Sequence, residues 1–254
     1  MKKIYIILAF LLGLGLVFLT EPSFAQAYLP SVQFNASMGA AKNPQEFSQG
    51  IQILILMTIL SLAPSILVMS TAFIRIAIVL SLVRQAVGTA QLPPNQVIMS
   101  LALILTFFVM SPTFNQINEK ALKPYMNNQI NQQAALTLGM EPLRQFMFRQ
   151  TNQSDLALFV QMAKIHKPKS TGDVPTYVLM PAFVISELKT AFKIGFMIFL
   201  PFLVIDIVIS SILVSMGMMF LPPAMISMPF KIILFVLIDG WHLIAKSLVE
   251  GFIM

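Results

Sequence analysis

The chain has 254 residues, of which 57% are hydrophobic and only 10% charged, with a mean hydropathy of +0.83 and a formal net charge of +6. A soluble domain carries about 25% charged residues, so this surface cannot be mainly water-facing. The lack of cysteine excludes disulfide frameworks, thiolate metal sites and cysteine nucleophiles. Two histidines, His166 and His242, are too few for a histidine metal centre, and the scattered basic residues do not form a nucleic-acid footprint.

Residues 1–27 read as a secretory signal. Lys2 and Lys3 precede an apolar run from Ile4 to Leu19, and Ser23-Phe24-Ala25 and Ala25-Gln26-Ala27 are two small-residue cleavage sites. An uncleaved signal anchor is the alternative. Residues 28–50 hold Pro30, Gly39, Pro44 and Gly50 and are expected to be a flexible lead.

From Ile51 to Ile74 there is no charge, which is ample for one span of about 20 residues. Pro64 is expected to kink this run, and its helical pattern continues past Arg75 to Arg84. Gln85 to Asn118 is also uncharged, with an apolar heart from Val97 to Met110 that is short for a span. Residues 51–112 are therefore read as a first helical hairpin. Residues 113–180 are polar, with Glu119, Glu141, Asp155 and Asp173 against seven Lys and Arg, and a helix is expected from about Pro142 to Lys164. Apolar sequence returns over 181–254, broken by Pro201, Pro222, Pro223 and Pro229, as a second hairpin.

Gly88-Thr-Ala-Gln-Leu-Pro93-Pro94 and Gly217-Met-Met-Phe-Leu-Pro222-Pro223 share one pattern. Glycine ends a helix and proline suits the opening turn of the next, so each copy reads as a hairpin tip. The signal places the insert in the periplasm. Its own basic excess argues for the cytoplasm, but that rule weakens for loops longer than about 60 residues, so the signal decides.

Met216, Met218, Met219, Met225 and Met228 crowd the second tip. Such flexible, polarizable side chains either fill a core or close around objects of different shapes. Glu187, Asp206, Lys231 and Asp239 lie in or beside apolar stretches, where an isolated charge at membrane depth costs at least roughly 2.5–3.5 kcal/mol. They form either an ion pathway or, as favoured here, pairs between helices or subunits. Arg75 and Arg84 read as arginines snorkelling from a helix end rather than binding substrate, and Arg75, Asp206 and Asp239 are taken as buried charges. No H-E-x-x-H, G-x-S-x-G or P-loop is present, no cofactor is implied, and nothing points to an enzyme.

Pro181-Ala-Phe-Val-Ile-Ser-Glu-Leu-Lys-Thr-Ala-Phe192, Phe199-Leu-Pro-Phe-Leu-Val-Ile-Asp206 and Pro229-Phe-Lys-Ile-Ile-Leu-Phe-Val-Leu-Ile-Asp-Gly-Trp241 closely resemble signatures of the FliP family of flagellar export-gate proteins. Phe73-Ile-Arg75, Leu92-Pro-Pro-Asn-Gln-Val97 and Leu105-Thr-Phe-Phe-Val-Met-Ser-Pro112 match as well. The resemblance spans roughly residues 45–250. It implies an all-α, membrane-associated subunit in the bacterial inner membrane at the flagellar basal body, built of two long helical hairpins with a helical periplasmic insert. Five copies would assemble with FliQ and FliR into a multi-subunit pore that passes unfolded flagellar proteins.

By the same resemblance, Met216, Met218, Met219 and Phe220 correspond to the constriction that seals the pore. Relatives often carry three successive methionines there, and Phe220 departs from that pattern. Phe146 and Phe159 correspond to pore-side or inter-subunit aromatics, with core packing the alternative for each. Glu187 and Lys231 correspond to an ion pair between neighbouring copies. A different class of function, a stand-alone secondary transporter or ion channel, would need a polar site at broken helices, and Asp206 near Pro201 is its one hint.

Overall fold

A computed structural model describes residues 44–89, 92–165, 168, 170–218 and 220–253. The signal expected over 1–27, most of the lead, His166 and Met219 lie outside these residues. Every regular element among the described residues is helical.

The chain divides into two compact units, residues 1–55 and 56–254. The described part of the first is the opening of helix α1 (Pro44–Met69). Residues 44–50, expected to belong to a flexible lead, are therefore helical, as a proline in a first turn permits. The rest of the molecule is α2 (Phe73–Val87), α3 (Asn95–Ile117), a π-turn (Asn118–Leu122), α4 (Lys123–Met126), α5 (Gln132–Gln150) and α6 (Gln153–Met162). A 3₁₀ turn (Thr171–Asp173), α7 (Thr176–Ser215), α8 (Pro223–Leu237) and α9 (Gly240–Ile253) complete it.

The first apolar run stays helical through the proline expected to kink it. α1 continues through Pro64 and ends at Ser70–Ala72, where the axis turns by 65° into α2. There the Ser70 hydroxyl donates to the Leu67 carbonyl at 2.9 Å and the Thr71 hydroxyl to that of Val68 at 2.7 Å. Short hydroxyl side chains thus take up carbonyls that a continuing helix would have used. Leu56, Ile59, Leu60 and Leu67 of α1 all face outward.

α2 is the central element. It buries Ile76, Val79, Leu80, Val83 and Ala86, a spacing of three and four that turns one broad face inward. That face packs mainly on α7 and also meets α3 and α8. Gly195 of α7 allows the close approach: a Cβ built there would stand 2.2 Å from Leu82 Cδ1.

α7 is 40 residues long and divides into two halves by burial. In the first, Val178, Leu179, Ala182, Phe183, Ser186, Glu187, Ala191 and Gly195 form one buried stripe; beyond it only Phe202 and Leu213 are buried. At 1.5 Å per residue the helix is about 60 Å long, twice the hydrocarbon thickness of a bilayer. α7, and the continuous helical stretch Asn95–Met126, are long and apolar enough to cross a membrane.

Residues 113–180 are not set apart by their ends. α3 runs unbroken past Pro112 into the π-turn, and α7 begins at Thr176, before residue 181. The single helix expected from Pro142 to Lys164 is two. α5 starts earlier because Asn131 caps it, accepting the Ala134 amide at 2.8 Å, and it ends at Gln150, with α6 starting again after Asn152.

Candidate functional site

Both glycine–proline turns obey the same local rule. Gly88 ends α2 with φ +84°, and Pro94 stands at the entrance of α3. Gly217 ends α7 with φ +74°, its amide donating to Val214 at 3.0 Å while that of Met218 donates to Leu213 at 2.9 Å. This double bond to the last turn needs a left-handed residue, which glycine adopts without a Cβ penalty. The second turn then presents its side chains outward. Phe220 is 100% exposed, and Met216, Met218, Leu221 and Met225 are exposed as well. The fully exposed Phe220 ring has a large apolar area available for an external contact.

Beneath this tip, charges meet in pairs. Lys231 of α8 donates to Asp206 of α7 at 2.6 Å, and the Ser227 hydroxyl, one turn before Lys231, donates to the other carboxylate oxygen at 2.6 Å. Lys231 is 5% exposed, whereas the Asp206 side chain keeps 30% of its surface. Ser227 and Lys231 share a helix face at i and i+4, which is why both reach one carboxylate.

The deepest charge cluster centres on Arg75, taken from sequence as a buried charge and also read as snorkelling from a helix end. It is 3% exposed, and Glu187 is fully buried. Arg75 Nε donates to Glu187 Oε2 at 2.8 Å and Nη2 to Oε1, a two-pronged pair between α2 and α7. Nη1 also donates to the Gly251 carbonyl at 3.1 Å and Nη2 to Gln150 Oε1 at 3.0 Å, while the guanidinium lies 3.9 Å over the Phe252 ring. One side chain therefore joins α2, α5, α7 and α9. Arginine suits this role because its planar fork offers five donors in a fixed geometry.

Glu187 and Lys231, matched in the sequence as a pair between copies, thus have different partners inside this chain. Asp239 also departs from the buried charge expected of it. It is exposed, with φ +50°, in the break where the axis bends by 63° between α8 and α9. Of the two aromatics, Phe146 lies in the core, its ring 5.9 Å from that of Phe183 and 6.2 Å from that of Phe252. Phe159 is half-buried against the same core.

Two clusters have no counterpart in the sequence reading. Asp155 of α6 is buried, accepts the Ser186 hydroxyl at 2.8 Å and pairs with the ammonium of Lys189, both on α7. These bonds hold its carboxyl below the ordinary carboxylate range, the Lys189 bond contributing most against the opposing effect of burial. The Asn152 amide donates to Ser186 Oγ at 3.0 Å, which locks the α5–α6 break onto α7. The second is Arg144, whose guanidinium donates to Thr176 Oγ1 at 2.5 Å and to the Val174 carbonyl at 2.7 Å, fixing the start of α7 to α5. The signal that could have found Asp155 is its place in the first turn of a helix, three residues after an asparagine.

Residues 56–248 match the FliP family profile. Among the similar proteins, the flagellar biosynthetic protein FliP of Bacillus subtilis is 55% identical over 213 residues, covering 84% of this chain and 96% of its own. That of Pectobacterium carotovorum is 48% identical over 241 residues, covering 95% and 92%. That of Aquifex aeolicus is 44% identical over 238 residues, covering 93% and 97%.

Proposed function

The chain belongs to the FliP family, and from that premise we propose that it is a pore-forming subunit of the bacterial flagellar protein-export gate, without enzymatic activity of its own. Its role would be steric. Copies of the chain, together with FliQ and FliR, enclose a conduit for unfolded flagellar proteins in the inner membrane, with the insert on the periplasmic side. The tip residues Met216, Met218, Met219 and Phe220 then close that conduit to ions when no substrate occupies it.

The observation that carries this reading is the second half of α7. It runs apolar and almost wholly uncovered up to a tip whose Phe220 is 100% exposed. Lipid alone is a poor match for a helix of about 60 Å with serines and an aspartate along it. Neighbouring copies, which can present polar groups as well as apolar ones, are a better match. Methionine is suited to the seal because its unbranched thioether packs against surfaces of many shapes.

The rival reading, a self-sufficient transporter, would need an open polar site at a broken helix. Asp206, its candidate, is taken up by Lys231 and Ser227. The discriminating experiment is the mass of the complex extracted in mild detergent. A particle with several copies and two smaller companions supports the gate; a monomer that transports a small solute saturably after reconstitution overturns it.

A further inference from the structure

A cleft of about 400 Å³ lies between α2, the turn that follows it, and α8. Val83, Val87, Leu92, Val236 and Trp241 are among the residues that line it. Leu92 and Val236 are strongly exposed, so apolar lining of the cleft is open to the outside. Arg84 stands in its lining.

The charge state of Arg84 distinguishes this cleft from the other apolar faces. Its Nη1 donates to the Pro93 carbonyl at 3.2 Å and to Asn95 Oδ1 at 2.6 Å, both neutral acceptors. Among the described residues no carboxylate reaches it, although Arg75, Lys189 and Lys231 each have one. The bonds to Pro93 and Asn95 hold the side chain in place, so a fixed, uncompensated cation sits against an open apolar groove. The complementary molecule is an amphiphile with an anionic head and a hydrocarbon tail. An indole at the rim, half in contact with Phe235 at 5.3 Å and half exposed, is the arrangement tryptophan adopts at the boundary of hydrocarbon and headgroup.

We propose that this cleft binds an anionic phospholipid, with the headgroup phosphate on Arg84 and an acyl chain along Val83, Val87 and Val236 toward Trp241. Such a lipid would support the turn at Gly88 and hold α8 against α2. The proposal does not depend on the export role, since it requires only that the chain meets a membrane.

Trp241 is the sole tryptophan of the chain, so its fluorescence reports this site directly. The test uses the purified full-length chain in mild detergent, titrated with phosphatidylglycerol or phosphatidylcholine brominated on the acyl chain. The expected result is half-quenching at a roughly fivefold lower mole fraction of the anionic lipid, the preference one basic residue confers at an anionic surface. Arg84→Gln should abolish that preference and Arg84→Lys retain most of it. Leu92→Asp, at an exposed position that leaves packing intact, should reduce quenching by the anionic lipid. Equal quenching by the two lipids, or a preference that survives both Arg84→Gln and Leu92→Asp, overturns the proposal. So does displacement by inorganic phosphate, which would mark a soluble-anion site instead.

Discussion

Arg75 and Glu187 meet as a two-pronged ion pair across α2 and α7, with neither side chain retaining appreciable contact with water. Removing one partner strands a charge in a medium that cannot solvate it, a cost of roughly 3–5 kcal/mol. Glu187→Gln is therefore expected to lower the melting temperature sharply. The double change Arg75→Met with Glu187→Leu should recover more than half of that loss, because two apolar side chains leave no charge behind. It will not recover all, since the Gly251 carbonyl loses its donor. Thermal melts of Glu187→Gln and of the double variant in detergent decide the matter; a double variant as unstable as Glu187→Gln contradicts it.

The second pair is cheaper to break. Lys231→Met leaves behind a carboxylate that keeps 30% of its side-chain surface, so it should cost about 1–3 kcal/mol, less than breaking the Arg75–Glu187 pair. A double-mutant cycle between Asp206 and Lys231 should show coupling in the isolated chain. The cycle between Glu187 and Lys231 should show next to none there. Coupling between those two that appears only in the assembled complex would reveal a contact between copies, which the resemblance implies and the isolated chain does not contain.

Why these partners eluded the sequence is a matter of distance and of faces. Glu187 lies 112 positions from Arg75, and Gly251 lies 176 away, so no local periodicity links them. The resemblance pairs Glu187 with Lys231, but Asp206, on the same helix as Glu187, carries the same sign. The buried stripe of α7 resolves the choice: it turns Glu187 toward α2, while Asp206 lies beyond it, opposite α8. The two glycine–proline turns, by contrast, were legible, since a left-handed glycine and a proline in a first turn are requirements of a few adjacent residues. The break at Ser70–Ala72 was not, because Pro64 is the stronger local signal and two hydroxyls decided the outcome.

Acid should weaken the contact between α6 and α7. The Asp155 carboxyl titrates below its ordinary value of 3.8, so the folded state favours the charged form. Its contribution is fully present above about pH 3.8 and is lost as pH falls through the depressed folded value. Melting temperature should fall more steeply with acid for the native chain than for Asp155→Asn, which carries no titrating group there. At neutral pH the order reverses in cause: Asp155→Asn is the less stable protein, having lost its bond to Lys189. Parallel pH profiles for the two proteins would rule the site out as the origin of the effect.

The exposed tip makes a functional prediction. Replacing Met216, Met218 and Met219 together by alanine shortens the side chains proposed to close the conduit, without touching the charge pairs below. Cells making that variant should leak small ions while still exporting flagellar protein. Phe220→Ala should add to the leak, since this ring is wholly exposed among the described residues. Conductance indistinguishable from that of the native protein would remove the seal from the proposed mechanism.

Close approach of α2 to α7 rests on one missing side chain. At Gly195 a methyl group would stand 2.2 Å from Leu82 Cδ1 and 3.2 Å from Leu82 Cβ, so the rotation of one terminal methyl cannot make room. Gly195→Ala is expected to push the helices apart and to cost about 1–3 kcal/mol, the range for overpacking a filled interior. The same displacement would lengthen the Arg75–Glu187 bonds, because both pairs bridge the same two helices. Leu82→Ala should restore much of the loss in the Gly195→Ala background, although alone it is destabilising through lost packing. Melting curves of the four proteins test this, and strictly additive losses would show that the two residues do not share the space that the geometry assigns them.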